Sequence, residues 1–589
     1  MPKYSVIFSI IVLVLFAFSC RGPVLNSASS SKVSTDSAFR DFETRFLDAY
    51  WQHYPSSAVF IGYGKYYERL VIPDSVAYQD NSRFSTVWLD SLKTQPYSEL
   101  SDNLKISYRI IENQLQSDKW YNDTLKQQEW NPASFNITGE SYYIYTQPYA
   151  PLDQRLRILS QHITNTDRYY KAALRTITVP TREHTELGIK QNEGGLDVFG
   201  FALTDSIAHS GLSAEEKDSL RKKVVGTVIA IKNYVHALKN MLADKKTKFR
   251  SFRLGKELYD QKFHYDLVTS YSPEELFRKS EKDKIFYQTE MYRIAQDLWP
   301  IYTRNKERPK DSLALIQFVI DQISLHHAQP STVIDTLKEQ VHSLQKFVID
   351  KNLFNYDSSF PLVVRIMPAF QSGVSLANAD FVPPYQKSGA TYFNVDDLTR
   401  LPGTKAESTL REYNNYSIQF LTIHEAMPGH CLQGIYSNTH TPDIIKAVFQ
   451  NGTMIEGWAV YAETMMLENG WGNHSPEMQL IHDKWKLREL GNAIIDYRIH
   501  CLNESKENIE SFLKNEAFQT PSQVEEKWHR ATVSQVQLCS YYAGMSEIMA
   551  LREDYKNEMG TRYSLKDFHE RFLSYGSAPI KYIREMMVH

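Results

Sequence analysis

Cysteine is scarce in this sequence: there are 4 in 589 residues, and no two stand in a Cys-x-x-Cys spacing. Apart from Cys20, the chain has only Cys431, Cys501 and Cys539, and three thiols cannot all pair within one chain. Neither a disulfide framework nor a structural zinc knuckle is supported; a single bridge stays compatible with an exported protein, but buried free thiols are expected. Glycine and proline are few as well, at 24 and 23, which leaves room for long helices rather than many short strands joined by tight turns. An excess of one charge is also missing. Lys+Arg 66 against Asp+Glu 69 leaves a formal charge of −3, so nothing drives the chain towards nucleic acid, which is bound through concentrated positive charge. Hydrophobic residues at 42% and charged residues at 23% match ordinary globular usage, which excludes both a disordered polymer and a multi-spanning membrane protein.

The N-terminus reads as an address. Lys3 precedes an apolar run from Val6 to Phe18, and Ala17-Phe18-Ser19-Cys20 follows, the layout of a secretory signal ending at a cysteine. As a helix the run reaches only about 20 Å, short of the roughly 30 Å hydrocarbon core. The cysteine placement resembles a bacterial lipoprotein signal, although Phe18 and Ala17 replace the usual small residue and leucine. That resemblance implies removal of residues 1–19, a lipid on Cys20, and anchoring to a bacterial cell-envelope membrane, facing the periplasm or the surface. Residues 20–36, rich in Ser and Ala, are expected to form a flexible tether.

The mature chain is expected to be mainly α, with an N-terminal helical lobe over 37–350 and a second lobe over 351–589. Apolar residues return every three or four positions over Lys217–Leu242, Leu313–Ile323 and Val333–Val348. No fixed period of 20 to 50 residues supports a solenoid. A small β-sheet is expected near residues 360–395. Its best strands are Leu362–Ile366 and Thr391–Asn394, separated by Pro383-Pro384 and Gly389. The second strand either packs or takes an extended peptide on its edge. Helices resume after Glu407, including one around Ile444–Glu468 and a long one over Met478–His500.

The most informative stretch is His424-Glu425-Ala426-Met427-Pro428-Gly429-His430. Zinc proteases commonly carry His-Glu-x-x-His on a helix, where residues four apart share a face. Here the second histidine is six residues on, about 9 Å and about 240° away in an unbroken helix, so the helix must break. Pro428 lacks the N–H that would bond the His424 carbonyl, and Gly429 permits backbone conformations closed to other residues. Taken alone, the motif is equally compatible with a buried His-Glu pair at a helix end. Glu456-Gly457-Trp458-Ala459-Val460-Tyr461-Ala462-Glu463 on a later helix changes the balance, because Glu456 can complete a two-histidine, one-carboxylate zinc site with a position left open for water. Gly457 suggests close approach of a neighbouring backbone. Glu463, two turns beyond Glu456 on the same face, is a candidate to support a ligand, or to replace Glu456.

Together the two motifs resemble the bacterial domain of unknown function 885 family, over roughly residues 37–585. The family is similar to the long-helical zinc peptidases of the thimet-oligopeptidase and angiotensin-converting-enzyme kind. The resemblance implies a two-lobed zincin-like fold with a deep central cleft. Two further regions fit it. Arg488, Asn492, Asp496 and His500 recur every four residues, as either a solvated stripe or part of the site, with arginine usual in the family where Asn492 stands. The segment Tyr541-Tyr542-Ala543-Gly544 resembles the family's C-terminal pattern, and Tyr542 is favoured over Tyr541 as a donor to a developing oxyanion.

The expected function is therefore a zinc peptidase acting on oligopeptides. His424, His430 and Glu456 hold Zn2+, and Glu425 serves as general base and then acid. His500 and Tyr542 steady the intermediate, and Glu463, Asp496 and Arg498 support from behind. The rival is a non-catalytic surface lipoprotein that binds peptide or glycan. A cysteine nucleophile at Cys431 is disfavoured, since no separate activating histidine stands near it. Oligomeric state is not legible.

Overall fold

A computed structural model of the chain describes residues 27–303, 306–356, 361–367, 376–386, 389–440 and 443–589. The leader and Cys20 lie outside them. Helix makes up 73% of the structure, so its single three-stranded sheet among the described residues is a local insertion rather than a layer. Of the expected tether, residues 27–36 instead form the opening turns of α1 (Ser27–His53). Phe39, Phe42, Phe46 and Tyr50 recur along α1 at helical spacing and are buried. Phe46 and Tyr50 pack on Phe449 at ring separations of 6.0 and 5.0 Å, which ties the start of the chain to its second half.

α2 (Asp102–Trp120) buries Leu104, Ile111 and Leu115 in the same core. α3 (Ala214–Ala243) starts at a capping box, in which the Ser213 hydroxyl accepts the Glu216 N–H and the Glu216 carboxylate accepts the Ser213 N–H. Its buried face belongs to a separate cluster with Val59, Tyr67, Phe135 and Leu156. α4 (Pro273–Thr303), α5 (Ser312–Ile323) and α6 (Val333–Asp350) bury their apolar faces in the core that also holds the helices around His424–His430 and Glu456–Glu463. The core therefore does not divide at residue 350. The separate cluster is built within residues 59–238.

The sheet consists of β1 (Leu362–Ile366), β2 (Ala377–Asp380) and β3 (Thr391–Val395), in the order β1-β3-β2. β1 runs parallel to β3 and β2 antiparallel to it. Both edges of β3 are thus occupied, and this strand offers no edge to a peptide. β2, Ala-Asn-Ala-Asp, has no β-branched or aromatic residue to announce it. Side chains fix its register instead: the Asn394 amide donates to Asn378 and Asp380 at 2.8 Å each, and Arg365 reaches Asn394 at 2.6 Å.

The helices that position the site are α7 (Ser417–Glu425), α8 (His430–His440), α9 (Gly452–Glu468), α10 (Pro476–Cys501), α11 (Pro521–Ser534) and α12 (Ser540–Met559). The one helix expected around 444–468 is two, because Asn451 caps α9 by accepting the Met454 N–H at 2.9 Å. α10 opens on a Ser475 cap with Pro476 behind it and runs through the middle of the core, buried on nearly every side. α9 and α12 cross in backbone contact: a Cβ on Gly457 would lie 2.4 Å from the Gly544 Cα. No helix among the described residues is long and apolar enough to cross a membrane.

Candidate metal centre

The break after α7 is built from backbone hydrogen bonds that overshoot the helix. The N–H groups of Ala426 and Met427 both return to the Thr422 carbonyl, at 2.9 and 3.2 Å, and the Gly429 N–H reaches the Ile423 carbonyl at 2.9 Å. The Met427–Pro428 peptide is cis. Gly429 is required for a different reason from the one expected: its φ is not positive, but a Cβ there would stand 1.9 Å from the His424 oxygen and 2.3 Å from that of Ile423. The need is for space. Trp458, fully buried on α9, pins the turn by donating its indole N–H to the Pro428 carbonyl at 2.9 Å.

α8 then starts at His430, and the two imidazoles meet edge to face with ring centroids 4.7 Å apart. Glu456 enters from the second turn of α9. Its Oε2 lies 3.6 Å from His424 Nε2 and 3.5 Å from His430 Nε2. One potential ligand atom from each of the three side chains falls within 4.8 Å of the others. The separations are long for hydrogen bonds, and Glu456 Oε2 and His430 Nδ1 are buried without any hydrogen-bond partner. Two ligands each about 2.1 Å from a tetrahedral metal stand about 3.4 Å apart. The residues present therefore fit a zinc ion, whose arrival would satisfy the orphaned carboxylate oxygen.

The surroundings also favour a cation. Burial alone would raise the Glu456 carboxyl, but the facing imidazoles hold it well below the usual carboxylate range. Behind His424, Nδ1 meets Glu463 Oε1 at 2.8 Å, which leaves Nε2 to face Glu456. Glu463 is itself held by the Trp485 indole at 3.1 Å and by the Lys486 ammonium at 3.0 Å. Lys486 in turn is shared with Glu489 at 3.0 Å. Such a carboxylate behind a ligating imidazole fixes its tautomer and raises its basicity. Glu425, adjacent to His424, has its carboxyl pushed up by burial.

Four predicted residues stand elsewhere. The Tyr542 hydroxyl donates to Asp283 on α4. His500 bridges the Ala531 carbonyl and the Leu254 N–H and stacks on Tyr259, a packing role. Asp496 accepts the Val536 N–H at 2.9 Å, and Arg498 pairs with Glu281 at 2.6 Å. The reason is axial distance: His500 is about 21 Å along α10 from Lys486. The stripe is not a solvated face, for Asn492, Asp496 and His500 are buried. Tyr541, the neighbour of Tyr542, is the tyrosine that lies beside His424. The Tyr541 ring stacks on His424 at 6.4 Å, and its hydroxyl accepts from Arg530 at 2.7 Å. Burial and the Glu456 charge push that hydroxyl up to about 12, so it stays a proton donor at neutral pH. Cys431 is fully buried, and burial pushes its thiol up, which makes it no nucleophile. The other two thiols are free as well.

Trp485, Lys486, Lys527 and Arg530 were not legible as site residues. The available signal was the spacing of 482, 485, 486 and 489, which share one face of α10 a turn ahead of the stripe. A cavity of about 530 Å³ lies where α9 ends and α10 begins, lined by Thr464, Trp471, His474 and His482, and the three converging side chains do not line it.

A profile described as "Bacterial protein of unknown function (DUF885)" matches residues 55–587. Among solved structures, the chain is similar to a candidate lipoprotein of unknown function from Shewanella oneidensis. Identity is 41% and the TM-score 0.84, over 93% of this chain and 99% of that one. It also shares its fold with a candidate lipoprotein from Colwellia psychrerythraea, at 14% identity and a TM-score of 0.74, over 95% of this chain and 98% of that one. No curated protein matches significantly.

Proposed function

The chain belongs to the bacterial family of unknown function 885, and from that premise we propose that it is a zinc-dependent peptidase of zincin-like, two-lobed build. It hydrolyses amide bonds of oligopeptides at a cell-envelope membrane, to which a lipid on Cys20 holds it. The observation that carries this reading is the Glu456 Oε2 atom, buried, without a hydrogen bond, and nearly equidistant from two imidazole nitrogens. His424 Nε2, His430 Nε2 and Glu456 Oε2 would hold the ion. Zinc, when bound, supplies the positive charge that polarises a carbonyl and acidifies water.

The chain's own groups do the rest. Glu463 keeps the His424 proton on Nδ1, so that Nε2 presents its lone pair. Lys486 balances the Glu463 charge and stops it from competing for a proton. Glu425 takes a proton from the attacking water and hands it to the departing amine nitrogen; its burial, which favours the protonated form, makes its carboxylate a stronger base for the first of these transfers. The Tyr541 hydroxyl, steered by Arg530, donates to the oxygen that gains charge as the carbonyl becomes tetrahedral. A purely structural zinc site needs no Glu425. Zinc analysis alongside digestion of a mixed-peptide library tests the reading: bound zinc with cleavage that chelation abolishes is expected, whereas bound zinc with no cleavage would favour a surface lipoprotein that only binds peptide or glycan.

A further inference from the structure

Three basic side chains near the metal centre meet no carboxylate directly. Arg488 on α10, and Lys527 and Arg530 on α11, form no direct ion pair with a carboxylate among the described residues, although Lys527 is only 2% exposed. Other buried cations of α10 are matched: Lys484 meets Glu412 at 2.8 Å, and Lys486 meets both Glu463 and Glu489 at 3.0 Å. Burying a charge without a partner is costly. Here two arginines lack a direct carboxylate, and the buried lysine beside them is turned towards its neutral form, first by burial and then by the arginine charges.

The cluster adjoins the reacting centre. Both hydrogen bonds of Arg530 leave from Nη2, to Tyr541 at 2.7 Å and Gln537 at 3.0 Å, so Nε and Nη1 remain for a ligand. Tyr541 stacks on the metal-binding His424. The Arg488 guanidinium lies over the Trp485 ring at 4.8 Å, and that indole holds Glu463 behind His424. Lys527 stands one turn before Arg530 and feels the charge of both arginines, which together with burial pushes its ammonium well below the usual range. The acidic groups whose charge reaches the cluster are already engaged or exposed: Glu456 and Glu425 at the centre, Glu412 and Glu489 on their lysines, and Glu526 on the surface of α11.

We propose that Arg488, Lys527 and Arg530 form a carboxylate-binding subsite beside the metal centre, which takes a peptide by a free C-terminal carboxylate or an acidic side chain. This rests on the peptidase reading for its substrate, but not for its test. Planar guanidinium groups match a carboxylate through paired N–H donors, and an anion held there would favour the ammonium form of Lys527 that burial otherwise disfavours.

Equilibrium binding avoids any dependence on turnover. Zinc-loaded protein is titrated calorimetrically with N-acetyl-Ala-Ala, with its C-terminal amide, and with amidated N-acetyl-Ala-Glu. At least one acidic peptide should bind about tenfold or more tighter than the neutral amide, and the one that does identifies the source of the carboxylate. The advantage should vanish in Arg530→Gln and Lys527→Met with zinc content unchanged, and should largely survive in Arg530→Lys, with thermal melts confirming that each variant is folded. If all three peptides bind alike or not at all, or if the advantage persists in both charge-removing variants, the subsite does not exist. A carboxylate preference without hydrolysis of any peptide would keep the subsite and remove the peptidase; hydrolysis without preference would do the reverse.

Discussion

His424 Nδ1 lies 2.8 Å from Glu463 Oε1, so the imidazole is gripped from behind by one carboxylate of α9 while its other nitrogen faces a second, Glu456, from two turns earlier on the same helix. Glu463→Gln keeps the shape but weakens the hold on the tautomer and leaves Lys486 with one carboxylate instead of two. Zinc affinity should fall about 10- to 100-fold, as read by competition against a chelator of known affinity. An unchanged affinity would remove Glu463 from this role.

Glu425 touches neither imidazole in a hydrogen bond, so its substitution separates chemistry from metal binding. Glu425→Gln should keep zinc at wild-type stoichiometry and lower turnover of a cleaved peptide by at least about 100-fold. His424→Ala should lose both. Retained hydrolysis in the glutamine variant would require another base.

Gly429 is set by contact, and its replacement should be severe. With a Cβ placed 1.9 Å from the His424 carbonyl oxygen, Gly429→Ala should cost about 3 kcal/mol or more and release zinc as His430 is displaced. Gly226, inside α3 with nothing within 4 Å of an added Cβ, is the control. Gly226→Ala should stabilise by about 0.5–1 kcal/mol. Chemical denaturation of the pair measures both, and equal effects would refute the crowding at the turn.

A second buried polar cluster, around Glu43 and Asp443, gives the fold a pH dependence of its own. Burial, then the Asp443 charge, pushes the Glu43 carboxyl from 4.5 up to about 9. A raised carboxyl stabilises fully below its unfolded value and loses that contribution as pH rises towards its folded value. Between pH 5 and pH 8 the wild type should therefore lose on the order of 3 kcal/mol relative to Glu43→Gln, which carries no titrating proton. Denaturation of both proteins at the two pH values checks this, and parallel behaviour would contradict it.

Sequence patterning revealed what repeats or breaks locally. The helical periodicity of Leu313–Ile323 and Val333–Val348, the β-branched residues of Leu362–Ile366, and the Pro-Gly break between two histidines are all local signals, and each corresponds to an element of the structure. Non-local choices were hidden. β2 is a strand because Asn394 and Arg365 seize its side chains, and nothing in Ala-Asn-Ala-Asp says so. Tyr541 and Tyr542 are neighbours of one type, and only the packing of α12 against α9 and α4 decides that the first stacks on His424 and the second meets Asp283. Lys527 and Arg530 carry no local signal, and only the tertiary packing of α11 brings the Arg530 guanidinium to Tyr541.

Anomalous diffraction at the zinc edge, from crystals of the full chain grown with zinc, tests the metal centre most directly. One peak should lie about 2.0–2.2 Å from His424 Nε2, His430 Nε2 and Glu456 Oε2 together. A folded, zinc-treated protein with no peak there, or with zinc bound by other groups, would contradict the metal site and the hydrolysis built on it.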